Sequence, residues 1–212
     1  MRVRVKLCGI TRLEDARAAV AAGVDALGFV FSARSPRVIE PEAAAAIIAR
    51  LPPFVTMVGL FLDPAPEQVR AVLRAVRLDI LQFHGNESSS FCRDFGLRYI
   101  KALPMGGAGV DVARLAGEHP DALAFLLDAH APGQRGGLGE VFDWRRIPTG
   151  LDRPLVVAGG LRPDNVAAAI ACHRPYAVDV SSGVESAPGI KDPDRINAFM
   201  RGVEHGSHVE ST

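Results

Sequence analysis

Two side chains with opposite acid–base habits close two of the most apolar runs in this chain. Cys8 ends Val3-Arg4-Val5-Lys6-Leu7-Cys8 and is followed by Gly9-Ile10-Thr11, while Asp128 ends Ala124-Phe125-Leu126-Leu127-Asp128. A thiolate acts as general base or nucleophile, and a carboxyl kept protonated in a desolvated mouth acts as general acid. Most buried cysteines are only small hydrophobes. Cys8 departs from that by position: Gly9 permits close approach, and a helical pattern opens at Leu13, whose N-terminal end favours thiolate. Asp128 reads equally well as a helix N-cap or as a functional acid.

Other residues are suited to anions. Ala158-Gly159-Gly160-Leu161 and Ser181-Ser182-Gly183-Val184 are small-residue turns that offer backbone N–H groups to a phosphate. A further run, Gly133-Gln134-Arg135-Gly136-Gly137-Leu138-Gly139, reads as a mobile loop or a backbone nest. Arg34 and Arg37 flank Ser35-Pro36, and Arg37, stiffened by the proline, is the better carboxylate ligand. His84, in Gln82-Phe83-His84-Gly85, is either an acid–base group or structural. The chain carries no HExxH and no grouped His or Cys ligands, so no metal is expected.

These residues recur at the ends of short apolar strands. Strands are predicted over Val3–Cys8, Ala26–Phe31, Thr56–Phe61, Ile80–His84, Tyr99–Leu103, Ala124–Asp128, Leu155–Ala158 and Ala177–Ser181. Amphipathic helices are predicted over Leu13–Ala22, Pro41–Arg50, Pro66–Val76, Ser88–Phe95, Val110–Gly117, Trp144–Ile147, Pro163–Ala171 and Pro193–Val203. Strictly alternating βα order argues for a parallel sheet. Repetition without a composition break favours closure into a single-domain α/β (β/α)8 barrel over 1–203, with 204–212 a polar C-terminal tail. In such barrels the strand ends carry the chemistry, and the turns after strands 7 and 8 often hold phosphate. An open doubly wound sheet is the alternative, but no GxGxxG or P-loop follows the first strand.

The 212 residues suit one domain, and 48% are hydrophobic. Formal net charge is +0, which gives no electrostatic case for nucleic acid or a membrane surface. No apolar run reaches the roughly 18 residues of a transmembrane helix. Cys8, Cys92 and Cys172 form no even framework, which suits free thiols in a cytoplasmic protein, with Cys92 and Cys172 as helix packing residues. Arginine far outnumbers lysine, whose only positions are Lys6, Lys101 and Lys191.

Taken in order, these blocks resemble the phosphoribosylanthranilate isomerase family of tryptophan biosynthesis. The resemblance rests on Lys6 to Thr11, Gly28-Phe29-Val30-Phe31 with Ser35-Pro36-Arg37, Gln82 to Gly85, and Leu127-Asp128. It continues through Gly136-Gly137, Phe142-Asp143-Trp144, Ala158 to Leu161 and Asp179 to Glu185. It implies a barrel without cofactor, a small phosphosugar–anthranilate substrate, and a monomer or homodimer. It implies an Amadori rearrangement with Cys8 as general base, Asp128 as general acid and Arg37 on the substrate carboxylate. Leu138 departs from the Thr or Ser usual after the paired glycines, and Phe83 from the usual Leu.

That chemistry needs the acid protonated and the base not, the reverse of free Asp and Cys. Burial is therefore expected to raise Asp128 and the helix end to lower Cys8. Lys6 shares the Cys8 face and needs a partner inside the barrel, for which Asp179 on the neighbouring last strand is the best placed. A histidine-pathway aldose–ketose isomerase would place aspartates at strands 1 and 5, where this chain has Cys8 and Leu103-Pro104. A non-catalytic phosphate-binding barrel would keep the glycine turns without needing Cys8 and Asp128 together.

Overall fold

The computed structural model describes residues 2–107, 109–130 and 141–208. Within them eight parallel strands close into a barrel: β1 (Arg4–Cys8), β2 (Ala26–Val30), β3 (Thr56–Phe61), β4 (Ile80–Phe83), β5 (Tyr99–Pro104), β6 (Ala124–Asp128), β7 (Leu155–Val157) and β8 (Ala177–Val180). Each run lies within a residue or so of its expected limits. Closure is made by β1 pairing with β2 on one side and β8 on the other, in a register that sets Lys6 opposite Asp179.

Strand alternation sorts the side chains onto two faces. Leu7, Leu27, Phe29, Phe61, Leu81, Phe83, Leu127 and Val178 point outward and are buried beneath the helices. Ile100, Ala102, Ala124, Leu126, Val156, Ala158 and Ala177 form a separate apolar core inside the barrel on the β5–β8 side. The inward positions of β1, β4 and β8 instead carry Lys6, Cys8, Gln82 and Asp179, all buried. Burying polar groups is costly unless they find partners, so this half of the lumen is held by polar contacts rather than by apolar packing.

The outer layer is α1 (Leu13–Ala21), α2 (Pro41–Ile48), α3 (Pro66–Ala75), α4 (Ser89–Arg93), α5 (Val112–Gly117), α6 (Val166–His173) and α7 (Pro193–His208). Among the described residues, the sixth helical position holds a 3-10 turn, Trp144–Arg146. Proline opens α2 and α3, where its missing N–H is no loss. It does not open α6, because the side chain of Asn165 takes the Arg162 N–H at 2.8 Å and keeps Pro163 in a turn. Cys92 is buried as expected, whereas Cys172 is exposed and is not a packing residue.

Two features differ from the sequence reading. The polar tail expected from residue 204 is helical as far as His208: α7 buries Ile196, Phe199, Met200, Val203 and Gly206 along one face. Ser207 Oγ then accepts the Val3 N–H at 3.1 Å, tying this end to the start of β1. Residues 209–212 lie outside the described residues. A hairpin of β9 (Glu185–Ala187) and β10 (Ile190–Lys191) was not foreseen. It docks on the β1–α1 connection and the first turn of α1, where Thr11 Oγ1 donates to Gly189 O at 2.6 Å and the Lys191 N–H donates to buried Asp15 at 3.0 Å. Among the described residues no helix is long and apolar enough to cross a membrane.

Candidate active site

A cavity of about 390 Å³ opens at the C-terminal ends of the strands, and Cys8, Arg37 and Asp128 all line it. His84, Asp179, Gly159, Gly160 and Ser182 share its walls. Gly136 and Gly137 lie outside the described residues.

Cys8 is delivered by the last position of β1. Beside it β2 carries Gly28, and a Cβ there would stand 2.9 Å from Cys8 Sγ and 3.2 Å from Lys6 Cε, so only glycine leaves room for both side chains. Lys6 Nζ donates to Asp179 Oδ1 at 2.8 Å, the pairing the strand register dictates. Burial alone pushes Asp179 toward the neutral acid and works against the charge on Lys6. At this distance attraction to Asp179, aided by Cys8, decides, and Lys6 is held above its usual range. Burial pushes the Cys8 thiol up, with Asp179 adding to the rise and Lys6 and Lys191 opposing it. The expected lowering by a helix end is not found: the sulfur sits inside the lumen, and α1 begins only at Leu13.

Asp128 ends β6 and is not a helix cap. Its Oδ1 accepts the Ala129 N–H at 2.8 Å, and its Oδ2 lies 3.1 Å from His84 Nε2 and 3.3 Å from His130 Nδ1. Burial favours the neutral acid here, but the contacts with His130 and His84 outweigh it and hold the carboxyl well below the ordinary carboxylate range. The expected upward shift is therefore reversed in the ligand-free site. Burial was the only influence visible in the sequence, whereas the two imidazoles arrive through the fold.

Arg37 reaches the cavity already gripped. Its Nε and Nη2 donate to the two oxygens of Glu185 at 2.8 Å each. Lys191 Nζ donates to the same carboxylate at 2.7 Å and to the backbone oxygen of Cys8 at 2.6 Å. Glu185 is held below the usual carboxylate range because Arg37 and Lys191 overcome its burial. Arg34 also lines the cavity.

The two small-residue turns meet on the opposite wall. Gly159 and Gly160 have φ of +77° and +58°. A Cβ on Gly183 would fall 1.9 Å from Leu161 O, so the second turn can press against the first only as glycine. Among the described residues the N–H groups of Gly159 and Gly160 make no backbone hydrogen bond, and those of Ser182 and Gly183 open a short 3-10 turn.

Sequence reasoning missed His130, Glu185, Lys191 and the amide of Gln82, which lies 3.1 Å from His84 Nδ1. One signal was available. All three lysines are buried and each meets a carboxylate: Lys6 with Asp179, Lys101 with Glu87, Lys191 with Glu185. In a chain that uses arginine nearly everywhere else, each surviving lysine marks a place that needs a compact ammonium.

The family model described as N-(5'phosphoribosyl)anthranilate (PRA) isomerase matches residues 5–202. An N-(5'-phosphoribosyl)anthranilate isomerase of Pseudomonas fluorescens is 56% identical over 205 residues, 97% of each chain. One from Halorhodospira halophila is 54% identical over 209 residues, 99% of this chain and 100% of the relative. Among solved structures, the phosphoribosyl anthranilate isomerase of Thermotoga maritima superposes with a TM-score of 0.86 at 45% identity, covering 95% of this chain and 98% of that one. A phosphoribosyl anthranilate isomerase in complex with reduced 1-(o-carboxyphenylamino)-1-deoxyribulose 5-phosphate gives 0.81 at 41% identity with the same coverage. Monomers generated from the dimeric T. maritima protein give 0.82 at 40%, again with that coverage.

Proposed function

Because the chain belongs to the N-(5'-phosphoribosyl)anthranilate isomerase family, we infer that it is the isomerase of tryptophan biosynthesis that converts N-(5'-phosphoribosyl)anthranilate to 1-(2-carboxyphenylamino)-1-deoxyribulose 5-phosphate. The observation that carries this reading is the single cavity shared by Cys8, Asp128, Arg37 and the β7 and β8 turns. The reaction is an Amadori rearrangement run by acid and base without a cofactor. The substrate phosphate rests on the N–H groups around Gly159, Gly160, Ser182 and Gly183, and its anthranilate carboxylate meets Arg37. Anchoring both ends holds the ribose between acid and base.

Asp128 gives a proton to the furanose oxygen as the C1′–O bond opens, leaving a Schiff base. Cys8 then takes the C2′ proton, and the resulting enolamine tautomerises to the ketone. One proton serves this pair. In the ligand-free barrel it belongs to the sulfur, so binding substrate has to bring it to the carboxyl while Lys6 steadies the thiolate. Asp179 keeps Lys6 in place, and His84 orients Asp128. The chain works in the cytoplasm, as monomer or homodimer, without nucleic acid or membrane partners.

Loss of substrate fluorescence on mixing purified protein with phosphoribosylanthranilate tests the reading. Cys8→Ala and Asp128→Asn should each lower kcat by about 10²–10⁴ with KM changed only a few fold. A wild-type protein that leaves the fluorescence unchanged ends the assignment of substrate. Either variant turning over within a few fold of wild type ends that residue's role.

A further inference from the structure

Two histidines meet the proposed acid in a pattern that proton transfer does not require. His84 from the end of β4 and His130 just beyond β6 both aim a ring nitrogen at one oxygen of Asp128, at 3.1 and 3.3 Å. The three ligand atoms lie within 4.8 Å of one another, and the two rings lean together with centroids 4.8 Å apart. Four donors around a zinc ion at about 2.0–2.1 Å stand about 3.3 Å from each other. Two edges of the triangle already have that length, and the third lies within 4.8 Å.

The hydrogen bonding of the cluster is incomplete in a way that points to a ligand. Only three buried side-chain polar atoms lack a hydrogen-bond partner among the described residues, and two of them are here: His130 Nδ1 and Gln82 Oε1. His130 is 7% exposed, and its Nδ1 approaches Asp128 without the alignment of a hydrogen bond. Gln82 turns its Nε2 toward His84 Nδ1 at 3.1 Å and leaves Oε1 without a donor. Turning that amide over satisfies Oε1 with a hydrogen on His84 Nδ1, which leaves Nε2 as a lone pair facing Asp128. That is the tautomer a metal-binding histidine takes when its far nitrogen is held by a second group. A cation between the rings then takes that His84 lone pair and gives the orphaned His130 Nδ1 its partner.

We propose that His84, Asp128 and His130 bind a divalent transition-metal ion of the zinc class, and that this ion turns the enzyme off. Two imidazoles and one carboxylate suit Zn²⁺, Co²⁺ or Ni²⁺ and disfavour Mg²⁺ and Ca²⁺, which want oxygen. His84 and Asp128 also line the cavity, so an ion held by them would stand at its wall. With the ion on Oδ2 and the Ala129 N–H on Oδ1, the Asp128 carboxylate is too weak a base to carry a proton to the ring oxygen. The inhibitory half rests on the acid role proposed above; the site itself does not.

Titrating the full chain with Co²⁺ reads the site directly through visible d–d absorption. One equivalent per chain is expected, weakened at least 100-fold in His130→Asn and in His84→Asn, and about 10–100-fold in Gln82→Met, which removes the supporting amide. X-ray absorption of the wild-type Zn²⁺ complex needs no variant, and should count two imidazoles, oxygen and no sulfur. Absence of the band at millimolar Co²⁺, equal affinity in both histidine variants, or sulfur in the zinc shell would each overturn the proposal. Zn²⁺ should also abolish turnover, with recovery on adding a chelator. Metal bound with full turnover leaves the site standing and removes Asp128 as the acid.

Discussion

Glu185 holds Arg37 in a two-bonded fork, Oε1 to Nε and Oε2 to Nη2, at 2.8 Å on each tine. Half of the guanidinium edge is thus spent within the protein, and among the described residues Nη1 makes no hydrogen bond. The arginine meets its substrate pre-aimed, which lowers the entropy lost on binding.

Glu185→Gln keeps the shape of the fork but loses the charge and one acceptor. We expect KM for phosphoribosylanthranilate to rise about tenfold or more, with a smaller change in kcat, since about 1.4 kcal/mol of positioning is a factor of ten. Glu185→Ala should also unfold at a lower temperature, because Arg37 and Lys191 become buried charges without a counter-ion, at a cost of about 3–5 kcal/mol. Unchanged KM in both variants would show that the fork positions nothing.

Gly28 is the second place where a small change should reach the chemistry. A methyl group there falls 2.9 Å from the sulfur of Cys8 and 3.1 Å from its Cα. Gly28→Ala should push β1 from β2, costing about 1–3 kcal/mol of stability and lowering kcat. Calorimetry and the fluorescence assay check the two halves, and wild-type values in both would refute the close approach.

His119 gives the pH dependence of stability its sign. Burial, with help from Lys101, pushes its pKa down to about 4 from an ordinary 6.5. Between those values the unfolded chain carries a proton that the folded one refuses. Stability contributed by the neutral ring is thus whole above pH 6.5 and is lost as pH falls toward 4, by up to about 1.4 kcal/mol per unit. His119→Met should flatten the fall of Tm over this window; a slope as steep as wild type would exclude His119 as its source.

Lys101 and Glu87 test a buried pair away from the cavity floor. Their charged atoms are 2.8 Å apart, and Glu87 also accepts the Asp63 and Gly85 N–H groups. Lys101→Met strands the carboxylate and should cost about 3–5 kcal/mol. Adding Glu87→Gln should return part of it, so a double-mutant cycle with no coupling would contradict the pair.

The fold was legible because short apolar runs recur along the chain and end at a small or polar residue, as Val3–Cys8 and Ala124–Asp128 do. The site was legible only as far as single strand ends go. Lys6 with Asp179 could be paired because β1 and β8 must be neighbours in a closed barrel. Arg37 with Glu185 could not, since their meeting depends on a hairpin of two- and three-residue strands too short to leave a pattern. Asp128 misled for a related reason: an apolar run announces burial, but nothing in it announces two imidazoles brought in by other parts of the chain.

The seam between β1 and β8 has a consequence for how activity arises as the barrel closes. The proposed base stands on β1. Its charge partner's counter-ion, Asp179, and both groups that hold the Cys8 carbonyl, Ser181 and Lys191, come from 173 to 183 positions further along the chain. Until β8 docks on β1 there is a lone lysine beside an unsupported thiol, so competence arrives only with closure.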